Sequence, residues 1–252
     1  MFKSLNIPLE ASQTAIQQNY LHELRVYLAL KFQAVSGQIR QTDIDWSLLS
    51  DVSGFQDKRT LQKHINTLHS LNWIGSDDTW LFVRSFERFR KLTGATSRTA
   101  VEIRAEDIQH ILELLLGAKI EHSAKAKRHV RKKSGAKPAP FEPYSSEDLK
   151  PKKRYSEYAY SCTLIGEWFG FSASSATRLK QSARKLGYLS YRHTSQTLCA
   201  YASNLADVVE SVGIEAERLF IHEGRLKVRL TDVFTVNRNG FHEYHFKTRA
   251  KV

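Results

Sequence analysis

Two stretches of this chain carry one pattern, and that repetition limits what the chain can fold into. Residues 54–74 read GFQDKRTLQKHINTLHSLNWI, and residues 170–189 read GFSASSATRLKQSARKLGYL. A constant offset of 115 pairs Asp57 with Ser172, Thr60 with Ser175, Lys63 with Arg178, Leu71 with Leu186 and Ile74 with Leu189. Upstream the offset becomes 116, pairing Ser50 with Gly166, Gly54 with Gly170 and Phe55 with Phe171. The slip predicts one extra residue in the first copy's turn.

Each matched position has a physical task. A small residue, Ser50 or Gly166, suits the close crossing of two helices. Gly54 and Gly170 suit a turn that needs positive φ. Asp57 and Ser172 are N-cap residues for the helices that follow. Each helix then carries apolar residues on one face and short polar or basic residues on the other. In the first copy Leu61, His64, Leu68 and Leu71 share the apolar face.

The surrounding segments fit the same scheme. Leu21, Leu24, Leu28 and Phe32 predict an amphipathic helix over 20–35. WSLLSDVSGF predicts a short helix ending at Gly54, and WIGSDDTWLFVRSF predicts strand, polar turn, strand. Residues 103–121 predict a helix with Ile108, Ile111, Leu112 and Leu115 on one face. In the second copy residues 156–169 precede the turn at Gly170, and LSYRHTSQTLCAYAS predicts a second hairpin. NLADVVESVG reads as a short helix, and Leu226, Val228 and Leu230 alternate as in a strand. Between the copies, residues 125–154 hold every proline except Pro8 together with AKRHVRKKSG and PKKR. That composition predicts a basic linker. The expected organisation is a first domain over 1–100, a connecting amphipathic helix over 101–124, the linker over 125–154, and a second domain over 155–252 with a β-rich C-terminal extension.

The chain has 252 residues, with 38 Lys and Arg against 26 Asp and Glu, a formal charge of +12. Such a surplus favours a polyanionic partner, most simply nucleic acid. Two cysteines, Cys162 and Cys199, form no C-x-x-C and suit a reducing compartment. No apolar stretch is long enough to span a membrane, and the N-terminus has no secretory h-region. The expected location is the cytoplasm, in association with the nucleoid.

At these residues the chain resembles the winged helix-turn-helix superfamily. Both copies, over about 18–85 and 156–202, are similar to bacterial DNA-binding regulators and to plasmid and phage replication initiators. The first copy departs from the pattern, with Asp57 for the Ser cap and Asn72 for the glycine before the hairpin. The resemblance implies a mainly α fold with small β-hairpin wings (α+β), as two tandem winged-helix domains joined by a basic linker. It implies that the second helix of each motif enters the major groove of duplex DNA. The groove-facing residues would then be Lys58, Arg59, Thr60, Gln62 and Lys63 in the first copy. In the second they would be Ser174, Ser175, Thr177, Arg178 and Gln181. Arg pairs bidentately with guanine and Gln with adenine, while Lys180, Arg184, Lys185 and Arg192 suit phosphate. The basic segment from Lys125 has a phosphate-tracking reading beside that of a plain tether.

Nothing in the sequence points to catalysis, a cofactor or a metal. There is no phosphate-binding G-x-x-x-x-G-K-[ST] loop, no G-x-S-x-G and no H-E-x-x-H. His222, His242 and His245 lack sulfur or paired-carboxylate companions, and Tyr155, Tyr158 and Tyr160 lack the metal motif of a strand-nicking site. The expected function is sequence-specific binding of double-stranded DNA, in transcription regulation or in replication initiation on a mobile element. The alternative is a protein–protein interaction module, with helix 103–121 as the surface for a protein partner or self-association.

Overall fold

The crossing of the two helices in each copy sets the local architecture. The computed structural model describes residues 4–34, 36–134, 158–192, 195–199, 219–222, 225–229, 232–236 and 243–245. The chain is a mixed α and β fold in which helices pack with small antiparallel sheets. It opens with β1 (Leu5–Pro8), α1 (Leu9–Gln17) and α2 (Leu21–Gln33). Then come β2 (Gln38–Arg40), α3 (Trp46–Ser53), α4 (Lys58–Ser70), β3 (Ile74–Ser76), β4 (Trp80–Val83), α5 (Phe86–Leu92) and β5 (Thr99–Ile103).

Helix α3 ends at Gly54, whose φ is 82°. The second copy repeats this: α7 (Cys162–Phe169) ends at Gly170 with φ 73°, and α8 (Ala173–Lys185) follows the Ser172 cap. The small residues at the crossing meet one and the same backbone group. Ser50 donates from its hydroxyl to the Phe55 carbonyl at 2.7 Å. In the second copy a Cβ on Gly166 would overlap the matching carbonyl oxygen, that of Phe171. The far ends also coincide. Asn72 (φ 55°) and Gly187 (φ 80°) both take the left-handed conformation after α4 and α8. The next amides, Trp73 and Tyr188, each donate to the carbonyl five residues back, closing the same C-terminal motif. Asparagine tolerates this conformation better than most residues.

Each copy ends in a three-stranded antiparallel sheet. In the first the order is β2–β4–β3, with Ile74 opposite Val83. In the second it is β6 (Tyr158–Ala159), β11 (Val233–Val236) and β7 (Leu189–Arg192), with Leu189 opposite Val236. The sequence-predicted hairpin over LSYRHTSQTLCAYAS is therefore corrected. The partner of β7 is β11, which lies beyond residues 193–232. The strand β8 (Ser195–Cys199) pairs instead with β10 (Arg225–Arg229), which also pairs with β9 (Leu219–His222). The alternating Leu226 and Val228 thus lie in a strand. The segment NLADVVESVG lies outside the described residues.

The predicted helix over 103–121 is also corrected. Residues through Ile103 belong to β5, Ala105–His110 form a 3-10 helix, and α6 runs Ile111–Ser134. Strand β5 pairs with β1 on one side and with β12 (Glu243–His245) on the other, so the boundary placed at residue 100 falls inside a strand. Helix α6 continues through 125–134, the first third of the expected linker, while 135–154 lie outside the described residues. Leu114, Leu115, Leu116, Ala118 and Ile120 are all buried, so α6 is apolar on more than one face and packs inside the molecule. It leaves no apolar docking face there.

One hydrophobic core runs through both copies. It includes Leu24, Tyr27, Leu28 and Phe32 of α2, Leu114 and Leu115 of α6, and Ile165, Phe169 and Phe234 of the second copy. Helix α1 packs against both α6 and α7. The Gln17 side-chain amide donates to the carbonyls of Glu167 (3.3 Å) and Trp168 (3.2 Å), two of the free acceptors at the end of α7. The two copies are docked to each other rather than held only by a tether.

Replacing Gly166 with Ala forces the crossing apart and should lower stability by about 1–3 kcal/mol, the usual result of overpacking. Ser50→Ala removes only the hydrogen bond to Phe55 and should cost about 1 kcal/mol. Urea unfolding followed by circular dichroism orders the two; equal midpoints would contradict the shared crossing geometry.

Candidate nucleic-acid interface

Helix α4 buries Leu61, Ile65 and Leu68 and exposes Lys58, Arg59, Gln62, Lys63 and Asn66. Its first turn is fixed by Asp57, which accepts from the amides of Arg59 (3.2 Å) and Thr60 (2.9 Å) and from the Thr60 hydroxyl (2.8 Å). These bonds, that from the Thr60 hydroxyl foremost, hold the Asp57 carboxyl below its ordinary range. The cap is therefore present above the ordinary Asp range and is lost as pH falls through the depressed value. Thr60 donates its hydroxyl to this cap and lines the same surface groove as Arg59, Gln62 and Lys63.

The remaining α4 residues form one open surface. Lys58 lies with its ammonium 4.9 Å from the Trp46 ring centre, and Gln62 donates to Asn66 at 3.1 Å. Asn66 and Ser70 line the same shallow groove as Arg59, Gln62 and Lys63. Sequence reasoning missed both, although they continue the exposed stripe at helical spacing. Below this surface His64 Nδ1 sits 2.9 Å from Glu23 Oε1 and its ring packs on Phe55, which fixes α4 to α2. The hairpin beside α4 ends in Asp77 and Asp78, both exposed; Asp77 accepts from the amides of Thr79 and Trp80.

Helix α8 differs in how it uses its polar residues. Ser172 accepts from the Ser175 amide at 3.3 Å, and its oxygen lies 3.0 Å from that of Ser174 and 3.1 Å from that of Ser175. Ser174 is exposed and Ser175 half-buried in this cap. Thr177 is turned toward α7. Its hydroxyl donates back to the Ala173 carbonyl at 2.9 Å and lies 3.4 Å from Cys162 Sγ, which corrects its placement in the base-reading set. Arg178, Gln181, Arg184 and Lys185 are exposed, with the Arg184 guanidinium 5.0 Å from the Tyr191 ring centre.

Lys180 is the main correction. It is 4% exposed, pairs with the Asp232 carboxylate and lies 4.6 Å from the Tyr191 ring centre. It ties α8 to the start of β11 and is out of reach of any phosphate. Arg192 ends β7, and its side chain lies outside the described residues. Tyr160 is buried against Trp168 and Phe234, so it serves packing; Tyr155 and His242 lie outside the described residues. Among the described residues no group of three or more His, Cys, Asp or Glu is arranged to hold a metal ion, and no helix is long and apolar enough to cross a membrane.

Lys180→Ala removes the lysine partner of the nearly buried Asp232 carboxylate. Unfolding should become easier by about 3–5 kcal/mol, and Lys180→Met combined with Asp232→Asn should recover most of that loss. Thermal melts of the single and double variants measure both, and an unchanged melt for Lys180→Ala would refute the pairing. Comparison with known proteins finds no family model, no characterised relative and no solved structure that matches this chain.

Proposed function

We propose that the chain is a sequence-specific double-stranded DNA-binding protein built on two winged helix-turn-helix units. The observation that carries this reading is the pair α4 and α8. Each is a capped helix, follows a glycine turn, leads into a three-stranded sheet and offers solvent a row of short polar and cationic side chains. Such a row suits the major groove, where Arg and Gln read base edges. The groove-facing set on this reading is Lys58, Arg59, Gln62, Lys63 and Asn66 from α4, with Ser174, Arg178 and Gln181 from α8. Arg184 and Lys185 are placed for phosphate.

The two surfaces are not electrostatic equals. Asp57, Asp77 and Asp78 flank the α4 row, whereas the α8 row of Arg178, Arg184 and Lys185 starts from the neutral cap Ser172. The second unit therefore supplies more of the phosphate attraction. Because the rows differ in chemistry, the binding site has two unlike halves rather than a palindrome. Docking of the copies through α1 and the shared core fixes the spacing of those halves.

The role is transcription regulation or replication initiation on a mobile element, and mapping of bound sites separates them. Promoter sites support regulation; repeated sites beside an origin support initiation.

Duplex affinity, followed by fluorescence anisotropy, should fall steeply with salt, and Arg184→Ala or Lys185→Ala should each reduce the logarithmic slope by about 0.9. Arg178→Ala should relax preference at one or two positions, worth about 1–3 kcal/mol each, in duplexes selected from a random pool. Absence of any retarded complex at low ionic strength would end the proposal and favour a protein-docking role.

A further inference from the structure

A second cationic concavity shares no residue with the α4 surface. The C-terminal end of α2, the turn before β2 and the junction of β4 with α5 form an open groove of about 580 Å³. Lys31, Gly37, Val83, Arg84, Ser85 and Arg88 line it. It lies at the end of β4 away from the turn that carries Asp77 and Asp78.

Among the described residues no carboxylate lines the groove; Glu87, next to Arg88 in sequence, turns instead to Arg90 at 2.9 Å. Lys31 is half-buried, with its ammonium 5.6 Å from the Phe86 ring centre and one hydrogen bond, to the Val83 carbonyl at 3.1 Å. An ammonium has three N–H donors, so two are left for a ligand. Burial lowers the Lys31 pKa to about 8, a sign that water alone solvates the charge poorly there. The Arg84 guanidinium lies over Gly75 and donates to Asn72 Oδ1 at 3.3 Å, and Arg88 is exposed. The Ser85 oxygen accepts from the Arg88 amide, which leaves its hydroxyl proton available.

Three cations with spare donors around a wide groove match an anion with several oxygens and more than one charge. Guanidinium forks favour phosphate in particular. We propose that this groove binds a phosphate-bearing anion through Lys31, Arg84 and Arg88. The anion is either a free polyphosphate or a phosphate of a nucleic-acid backbone.

Isothermal titration of the full chain with inorganic pyrophosphate at low salt tests this without any duplex, so it is independent of the DNA-binding reading. One saturable site is expected. Lys31→Met and Arg88→Ala should each weaken it at least about tenfold, the loss of one charge-assisted hydrogen bond. Lys91→Ala removes a neighbouring cation that does not line the groove and should leave the affinity within twofold. Far-UV circular dichroism and urea midpoints confirm that each variant is folded. No saturable heat, or Lys31→Met and Arg88→Ala both binding as the parent does, overturns the proposal. Repeating the titration with saturating duplex separates the sources. Pyrophosphate binding that persists identifies a free-anion site, and binding that is blocked identifies a backbone-phosphate site.

Discussion

The carbonyl of Phe171 lies where a side chain on residue 166 would begin. That one contact fixes how closely α7 and α8 cross, and much else follows from it. The crossing determines which α8 residues face inward, Ala176, Leu179 and Ala183 among them, and so which face outward. In the first copy the same carbonyl, at Phe55, receives a hydrogen bond from Ser50. One copy solves the close approach by removing the side chain and the other by making it a donor. The solutions differ chemically and agree geometrically, which is why the helices that follow begin and end alike.

Docking between the copies is the second constraint. A flexible linker would let the two copies engage a ligand independently, at an effective concentration set by its length. Here α1 lies against α7, Gln17 satisfies the last carbonyls of α7, and α6 is buried among them. Gly170 belongs to this contact as well as to its own turn, because the Gln17 Cα lies 3.4 Å from the place a Cβ would occupy. On the proposed DNA-binding function, a docked pair of surfaces gives up search range for a fixed half-site spacing, and a change in α1 acts on binding without touching α4 or α8.

Local signals in the sequence located the paired helices well. The caps at Asp57 and Ser172, the glycine turns and the one-residue slip are short-range features, and short-range chemistry decides them. The sheets were less legible. Strand β6 has two residues, too few for alternation to register, and β11 reaches β7 from beyond residues 193–232. A nearer segment, Ser195–Cys199, has equally good strand character and was the natural partner to expect. Pairing across such a distance is settled by burial of Phe234 in the core and by the Lys180–Asp232 contact, neither of which has a local signature. Helix α6 was misjudged for a related reason. Its apolar residues look like one stripe until its neighbours are known, and then several faces prove to be covered.

Lys180 shows why composition overstates an interface. From the sequence it is one of five basic residues between Arg178 and Arg192, and it stands beside exposed ones. Its place on the helix nevertheless turns it inward, toward Asp232 and Tyr191. The charge that counts for a polyanion is what remains after such internal pairs are removed and acidic neighbours are subtracted. On α4 the subtraction is large, because Asp57 caps the helix and Asp77 and Asp78 tip the adjacent hairpin. On α8 it is small. Two copies of one scaffold thus carry different charge on the same structural row while a common core holds them together.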